Sequence, residues 1–363
     1  MTPTEKLHAM GQSLWLDNIS RSLLTSGELA RYISDFSVTG LTSNPTIFEH
    51  AIGQGDAYDS AIHQLTASGL SGEALFFELA LEDLRQAADL FQDIHQATGG
   101  VDGWVSLELS PLLASDTAGS IQAAAQQHAQ AKRPNLFIKI PGTPQGIGAI
   151  EESIFAGVPI NVTLLFSRAQ YLAAAEAYLR GIERRLEAGL SPEVASVASL
   201  FVSRWDVAVQ DAVPAALHNR LGIAVAQQTY QAYRELLASP RWQKLAAAGA
   251  RPQRLLWAST GTKDPAASDT LYLDALAAPD TINTIPEKTL HAFADHGQTG
   301  TAMPLNGGDA EAVLASFRQA GVDDTALATQ LQEEGTAAFS KSWKALLDSI
   351  QKKSAALLAK ENP

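Results

Sequence analysis

Eight short runs with strand character, each followed by a helical stretch, limit most strongly how this chain can fold. They cover residues 13–16, 38–42, 105–109, 136–140, 159–165, 195–202, 254–258 and 281–285. Amphipathic segments rich in Ala, Leu and Gln lie between them, for example 73–92, 167–188 and 214–237. Eight strand–helix repeats are the arithmetic of an α/β fold closed into a (β/α)8 TIM barrel. An open doubly wound sheet is the competing arrangement, but no Gly-rich dinucleotide turn follows the first run. The interval between the second and third runs has room for two or three extra helices. Past Pro286 the chain reads helical to Lys360. One domain over 1–363 is therefore expected, with barrel strands in 13–286 and a C-terminal helical extension over 287–360.

One residue breaks its run. Lys139 interrupts Leu136-Phe137-Ile138-Lys139-Ile140-Pro141, which otherwise reads as a parallel strand buried on both faces. A buried ammonium is costly unless it is paired or neutralised. Desolvation favours the neutral amine, and a neutral amine in a dry pocket is a nucleophile for carbonyls. The run alone leaves a second reading open, in which the side chain snorkels to water or joins a structural ion pair.

Strand parity gives Lys139 its company, because alternate residues face opposite ways. It shares a face with Phe137, opposite Leu136, Ile138 and Ile140. In the third run Ser106 and Glu108 oppose Val105, Leu107 and Leu109; in the fifth, Asn161 and Thr163 oppose Ile160, Val162 and Leu164. Asp17 opposes Leu14 and Leu16, while Thr42 and Asn44 oppose Leu41. Five strands thus bring polar groups to one face, mostly late in the strand. In a barrel that face is the interior, and the C-terminal end is where catalytic groups sit. A hydrogen-bonded polar plug would explain one such residue less strainedly than five.

Charge and composition narrow the partners. The formal charge of −13 opposes binding to nucleic acid or an anionic membrane, so an anionic substrate needs a local cluster of cations. There is no cysteine, which removes disulfides, thiolate chemistry and Cys-ligated metals. His291 and His296 are five apart on an expected helix and do not share a face, so no metal is indicated. The N-terminus lacks a signal-like apolar core, and nowhere do about eighteen apolar residues run together, so a cytoplasmic location is expected. Trp15, Trp104 and Trp257 are expected to fill the barrel. Lys288, in a polar helix start after the eighth run, is expected to be solvated.

Three motifs also carry a family resemblance. Gly40-Leu41-Thr42-Ser43-Asn44-Pro45-Thr46-Ile47-Phe48 resembles the second-strand signature of transaldolases. The segment from Leu136 through Pro141-Gly142-Thr143-Pro144-Gln145-Gly146 resembles their Schiff-base lysine motif, and Gly157 to Ser167 resembles their fifth strand. The resemblance spans nearly the whole chain. It implies a class I aldolase-type barrel, no cofactor, and transfer of a dihydroxyacetone unit between sugar phosphates of the pentose phosphate pathway. It also implies an imine on Lys139, general acid/base chemistry by Asp17, and a Glu108–Thr163 pair handling the water of dehydration. Asn44 and Asn161 would hold the dihydroxyacetone hydroxyls beside Thr42, although capping is an alternative role for Asn44.

The sixth run, Ala198-Ser199-Leu200-Phe201-Val202-Ser203-Arg204, is similar to the family's Ser-x-Phe-Val-x-Arg segment. It implies that Ser199 and Phe201 line the pocket and that Arg204 binds phosphate. In the seventh, Ser259 fits the family pattern, but Gly261 stands where many transaldolases carry arginine. Lys263 is the candidate second phosphate cation. Small-molecule sugar phosphates are the expected partners of a monomer or homodimer. The rival within the family, a fructose-6-phosphate aldolase releasing dihydroxyacetone, is shorter and typically carries tyrosine where Phe201 stands.

Overall fold

The computed structural model describes residues 1–361. Its strands are β1 (Gln12–Asp17), β2 (Val38–Thr42), β3 (Trp104–Glu108), β4 (Leu136–Pro141), β5 (Ile160–Leu165), β6 (Ser196–Phe201), β7 (Gln253–Ala258) and β8 (Thr281–Ile285). All neighbours pair in parallel and β8 closes on β1, forming a barrel in sequence order. The expected (β/α)8 architecture is therefore present, and every expected strand falls within two residues of its observed bounds.

Between β2 and β3 run four helices, Pro45–Gly53, Asp59–Ala67, Gly72–Leu90 and Gln92–Ala97, which is the one helix of a barrel repeat and three extra, as expected. One stretch differs from expectation. Beyond β8 the chain is not continuously helical: helices Glu287–His296 and Ala310–Gln319 are separated by residues 297–309. That stretch carries Gly297, Gly300, Pro304, Gly307 and Gly308, and the last two adopt positive φ that breaks a helix. The final helix, Asp324–Glu361, is 38 residues long. Among the described residues no helix is long and apolar enough to cross a membrane.

Aromatic residues fill the lower barrel interior. Trp104 stacks on Phe137 with ring centroids 4.1 Å apart, and Trp15 lies 6.2 Å from Phe137. Gly40 is required here, because a Cβ at that position would sit 2.6 Å from Trp15 Nε1. Below the aromatics a polar cluster seals the N-terminal end. Asp102 accepts from Ser13 Oγ at 2.5 Å and Trp15 Nε1 at 2.9 Å, and pairs with Arg254 at 3.4 Å. Trp257, in contrast, is not inside the barrel. Its indole N–H donates to Leu276 O at 3.1 Å and its ring faces Tyr230, so it fills the layer between sheet and helices. Its strand parity sends it outward while Arg254 and Ala258 point in.

The final helix crosses the C-terminal ends of the strands. Gln332 Nε2 donates to Gly142 O at 3.0 Å and Leu164 O at 2.9 Å, anchoring the helix to the ends of β4 and β5. Trp343 Nε1 donates to Glu73 Oε1 at 2.8 Å, and Thr46 Oγ1 bonds Ser342 Oγ at 2.8 Å. Buried Leu331, Phe339, Leu346 and Ile350 supply its apolar face.

Candidate active site

A cavity of about 270 Å³ opens at the C-terminal end of the barrel. Lys139 rises into it from β4 and is only 6 % exposed. Its Nζ lies 2.9 Å from Glu108 Oε2 and donates to Ser43 O at 2.9 Å. Glu108 and Lys139 are register partners on β3 and β4, so the barrel's own hydrogen-bond ladder brings them together. Burial pushes the Glu108 carboxyl up; the charge and hydrogen bond of Lys139 oppose this, Asp17 adds to it, and Arg204 opposes it weakly. Glu108 lies beside the lysine but outside the cavity lining.

Asp17 ends β1 across the barrel. Its Oδ1 accepts from Thr42 Oγ1 at 2.8 Å, and Thr42 is bonded in turn to Thr284 Oγ1 at 2.5 Å. Burial raises the Asp17 pKa, against the lowering effects of Lys139, the Thr42 hydrogen bond and Lys263, in that order. The site therefore holds a carboxylate that is more basic than usual yet flanked by two cations.

Asn44 both lines the cavity and caps a helix. Its Oδ1 accepts from Ile47 N at 3.0 Å, while its Nδ2 has no partner among the described residues. Asn161 is fully buried and does not line the cavity. It donates to Ser106 Oγ at 3.2 Å and accepts from Ser199 Oγ at 2.8 Å, which makes it the base on which Ser199 is set. Thr163 does line the cavity, and its buried Oγ1 has no hydrogen-bond partner among the described residues. The next residue, Leu164, has φ of +57°, where the β5–β6 register slips. A β-branched-rich strand kinks there rather than continuing.

Ser199 and Phe201 line one wall from β6, and Arg204 follows in helix Ser203–Val209. Ser203 N donates to Ser259 O at 3.0 Å and their hydroxyls meet at 2.9 Å, tying the ends of β6 and β7 together. Burial lowers the Arg204 pKa, with Glu334 and Glu108 opposing. Its guanidinium makes no ion pair or hydrogen bond among the described residues, and lies 5.4 Å and 6.0 Å from the rings of Phe201 and Phe339. Ser259 and Lys263 complete that side. Lys263 Nζ stands 3.8 Å from where a Cβ on Gly261 would be, so the lysine reaches back along the space that residue 261 leaves open.

Ten of the twelve residues picked from sequence thus line one cavity, with Glu108 and Asn161 bonded beneath it. Thr46, Ile47, His50, Thr284, Pro286 and Phe339 line it as well and were not foreseen. Parity within β8 would have found Thr284. Phe339 arrives from the helix that begins at Asp324, beyond the last strand, and no local pattern announces it. Lys288 is exposed and outside the cavity. His291 meets the Tyr32 hydroxyl at 3.0 Å, and His296 meets Asp269 at 2.9 Å. No cluster of metal-ligating side chains occurs among the described residues.

Comparison with known proteins agrees with this geometry. Residues 14–350 match the family model described as transaldolase/fructose-6-phosphate aldolase. A transaldolase of Parafrankia sp. is 44% identical over 359 residues, covering 96% of this chain and 97% of the relative. A transaldolase of Thermobifida fusca is 44% identical over 366 residues, covering 98% and 99%. One of Neisseria gonorrhoeae is 42% identical over 348 residues, covering 96% and 99%. With a closed barrel, a buried lysine at its C-terminal end and such relatives along its whole length, the chain belongs to the transaldolase/fructose-6-phosphate aldolase family.

Proposed function

We propose that the chain is a transaldolase moving a dihydroxyacetone unit from a ketose phosphate to an aldose phosphate through an imine on Lys139. Sedoheptulose 7-phosphate and fructose 6-phosphate are the donors of this reading; glyceraldehyde 3-phosphate and erythrose 4-phosphate are the acceptors. The observation that carries it is the placement of Lys139, buried at the barrel's C-terminal end with one carboxylate in contact and a second across the cavity.

Attack requires the free amine, and Glu108, 2.9 Å away and pushed up by burial, is the acceptor for its proton. The Lys139 nitrogen adds to C2 of the ketose, giving a carbinolamine. Loss of its hydroxyl as water, with a proton from the Glu108–Thr163 side, leaves a protonated imine. The unpartnered Thr163 hydroxyl suits a hydrogen bond to that water. Asp17 then removes the C4 hydroxyl proton, the C3–C4 bond breaks, and its electron pair flows into the imine to form an enamine. The aldose phosphate leaves. An acceptor aldehyde takes the reverse path: the enamine carbon attacks its carbonyl, and Asp17 returns the proton to the new alkoxide. Water finally releases the product ketose from Lys139.

The raised pKa of Asp17 serves this cycle, because a stronger base takes an alcohol proton more readily. Arg204 and Lys263 supply the positive field for the phosphate that the acidic chain otherwise lacks. The test is borohydride trapping with fructose 6-phosphate. A substrate-dependent mass increase on Lys139 supports the imine, and its absence overturns the reading. A requirement for added erythrose 4-phosphate separates transfer from simple release of dihydroxyacetone.

A further inference from the structure

The final helix packs on the strand ends around the cavity along a single stripe, of which Phe339 lines the cavity itself. Gln332, Gly335 and Phe339 stand at i, i+3 and i+7, so they share one helix face. Each touches the site differently. Phe339 sets its ring 6.0 Å from the Arg204 guanidinium carbon, which Phe201 approaches at 5.4 Å. A Cβ on Gly335 would meet Arg204 NH1 at 3.3 Å and Leu164 Cδ2 at 2.9 Å. Gln332 bonds the carbonyls of Gly142 and Leu164, which fixes how closely the helix sits on β4 and β5.

Glycine inside a helix costs about 1 kcal/mol relative to alanine, so its presence there needs a compensating reason. The close approach of Arg204 and of the kinked Leu164 supplies one. The guanidinium also needs a reason to be still. An arginine side chain gives up about 2 kcal/mol of rotamer entropy when fixed, and Glu334 and Glu108 act on Arg204 only through their charge, with no ion pair or hydrogen bond to its guanidinium among the described residues. Two aromatic rings hold it instead. Contacts with the rings leave the edge of the fork, with its N–H donors, available to a planar pair of oxyanions.

We propose that Gln332, Gly335 and Phe339 are positioning residues that aim Arg204 at the substrate phosphate, so that the C-terminal helix governs affinity for phosphorylated sugars. The proposal rests on the transferase reading above and on Arg204 being a phosphate ligand within it. A helix that only covered apolar surface would leave phosphate affinity untouched when its ring was changed to another apolar side chain. A positioning helix would not.

The experiment uses the full chain carrying Phe339→Leu, Gly335→Ala or Phe339→Tyr. KM and kcat are measured with fructose 6-phosphate, and inorganic phosphate is titrated as a competitive inhibitor. Thermal unfolding monitors the fold, and borohydride trapping at saturating substrate monitors the imine. For Phe339→Leu and Gly335→Ala, KM and the phosphate inhibition constant should rise together by about 3–30-fold, the span of a desolvated cation–ring contact. The kcat and the trapped fraction at saturation should stay within about twofold of the parent. Phe339→Tyr, which keeps a ring, should restore both constants. An unchanged phosphate constant in a folded Gly335→Ala or Phe339→Leu protein overturns the proposal, as does a fall in kcat with KM constant. Failure of the parent itself to trap substrate on Lys139 would instead remove the transferase reading.

Discussion

Lys139 and Glu108 face each other from adjacent strands as a buried ion pair, Nζ to Oε2 at 2.9 Å, each about 7 % exposed. A pair this dry contributes less to stability than its Coulomb attraction suggests, because both ions lose their hydration. Removing one partner is different, since it strands the other. Lys139→Met should abolish trapping and turnover and lower stability by about 3 kcal/mol near neutral pH. Glu108 already has its pKa raised by burial, and loss of the lysine raises it further. A carboxyl whose folded pKa exceeds its unfolded value costs stability that sets in above the unfolded pKa and is complete above the folded one. The deficit of Lys139→Met should therefore shrink as pH falls, by denaturant titration at about pH 8 and about pH 5. A deficit constant between the two would contradict the assignment of the penalty to Glu108.

Asp17 presents a trade between activity and stability. Burial outweighs its cations and raises its pKa, so its ionised form destabilises the fold relative to a neutral one. Asp17→Asn should cut kcat by about 10²–10⁴ while raising the melting temperature at neutral pH. The sign follows from the direction of the shift: the gain is largest above the folded pKa and vanishes below the unfolded one. In the parent enzyme, activity should fall as pH drops through the same raised pKa, because the base is then protonated. A variant that melts earlier than the parent at neutral pH would show that Thr42 and the cations outweigh burial.

These residues also show how much of the molecule could be read in advance. Period-two alternation exposed Asp17, Glu108, Lys139 and Thr163 because a barrel interior gives each inward position a single neighbourhood. Helix packing across the barrel mouth has no such local signature. Phe339 and Gly335 look like ordinary members of an amphipathic helix until Gln332 docks that helix on β4 and β5. The same limit explains Asn161, whose inward parity was legible but whose depth, below the cavity and between Ser106 and Ser199, was not. Trp257 shows the opposite limit: a bulky aromatic in a strand suggests the interior, whereas the parity of β7 points it to the helices.

Lys263 should act on two groups at once. It lines the cavity beside Gly261 and lowers the pKa of Asp17 through its charge. Lys263→Ala removes that opposition, so the Asp17 pKa rises further and the acidic limb of the pH–kcat profile moves to higher pH. KM for fructose 6-phosphate should also rise, by roughly tenfold for the loss of one charge-assisted phosphate contact. Lys263 is itself exposed, so added salt should diminish both effects. An unmoved acidic limb would place the lysine too far from Asp17 to matter.

The polar cluster at the opposite end of the barrel should separate stability from catalysis. Asp102 accepts from Ser13 and Trp15 and faces Arg254, whose NH2 also donates to Ser13 Oγ at 2.7 Å and Thr281 O at 2.9 Å. Its carboxylate therefore holds β1, β7 and β8 in one hydrogen-bonded layer beneath Trp15. Asp102→Ala leaves the Trp15 and Ser13 donors without their acceptor and Arg254 without its counter-charge, and should cost about 3–5 kcal/mol. Asp102→Asn keeps an acceptor and should cost less. Neither residue change reaches the cavity at the other end, so kcat and KM measured well below the melting temperature should match the parent. A loss of kcat in a fully folded Asp102→Asn protein would mean that Trp15 transmits its position along β1 to Asp17, which shares its strand face two residues on.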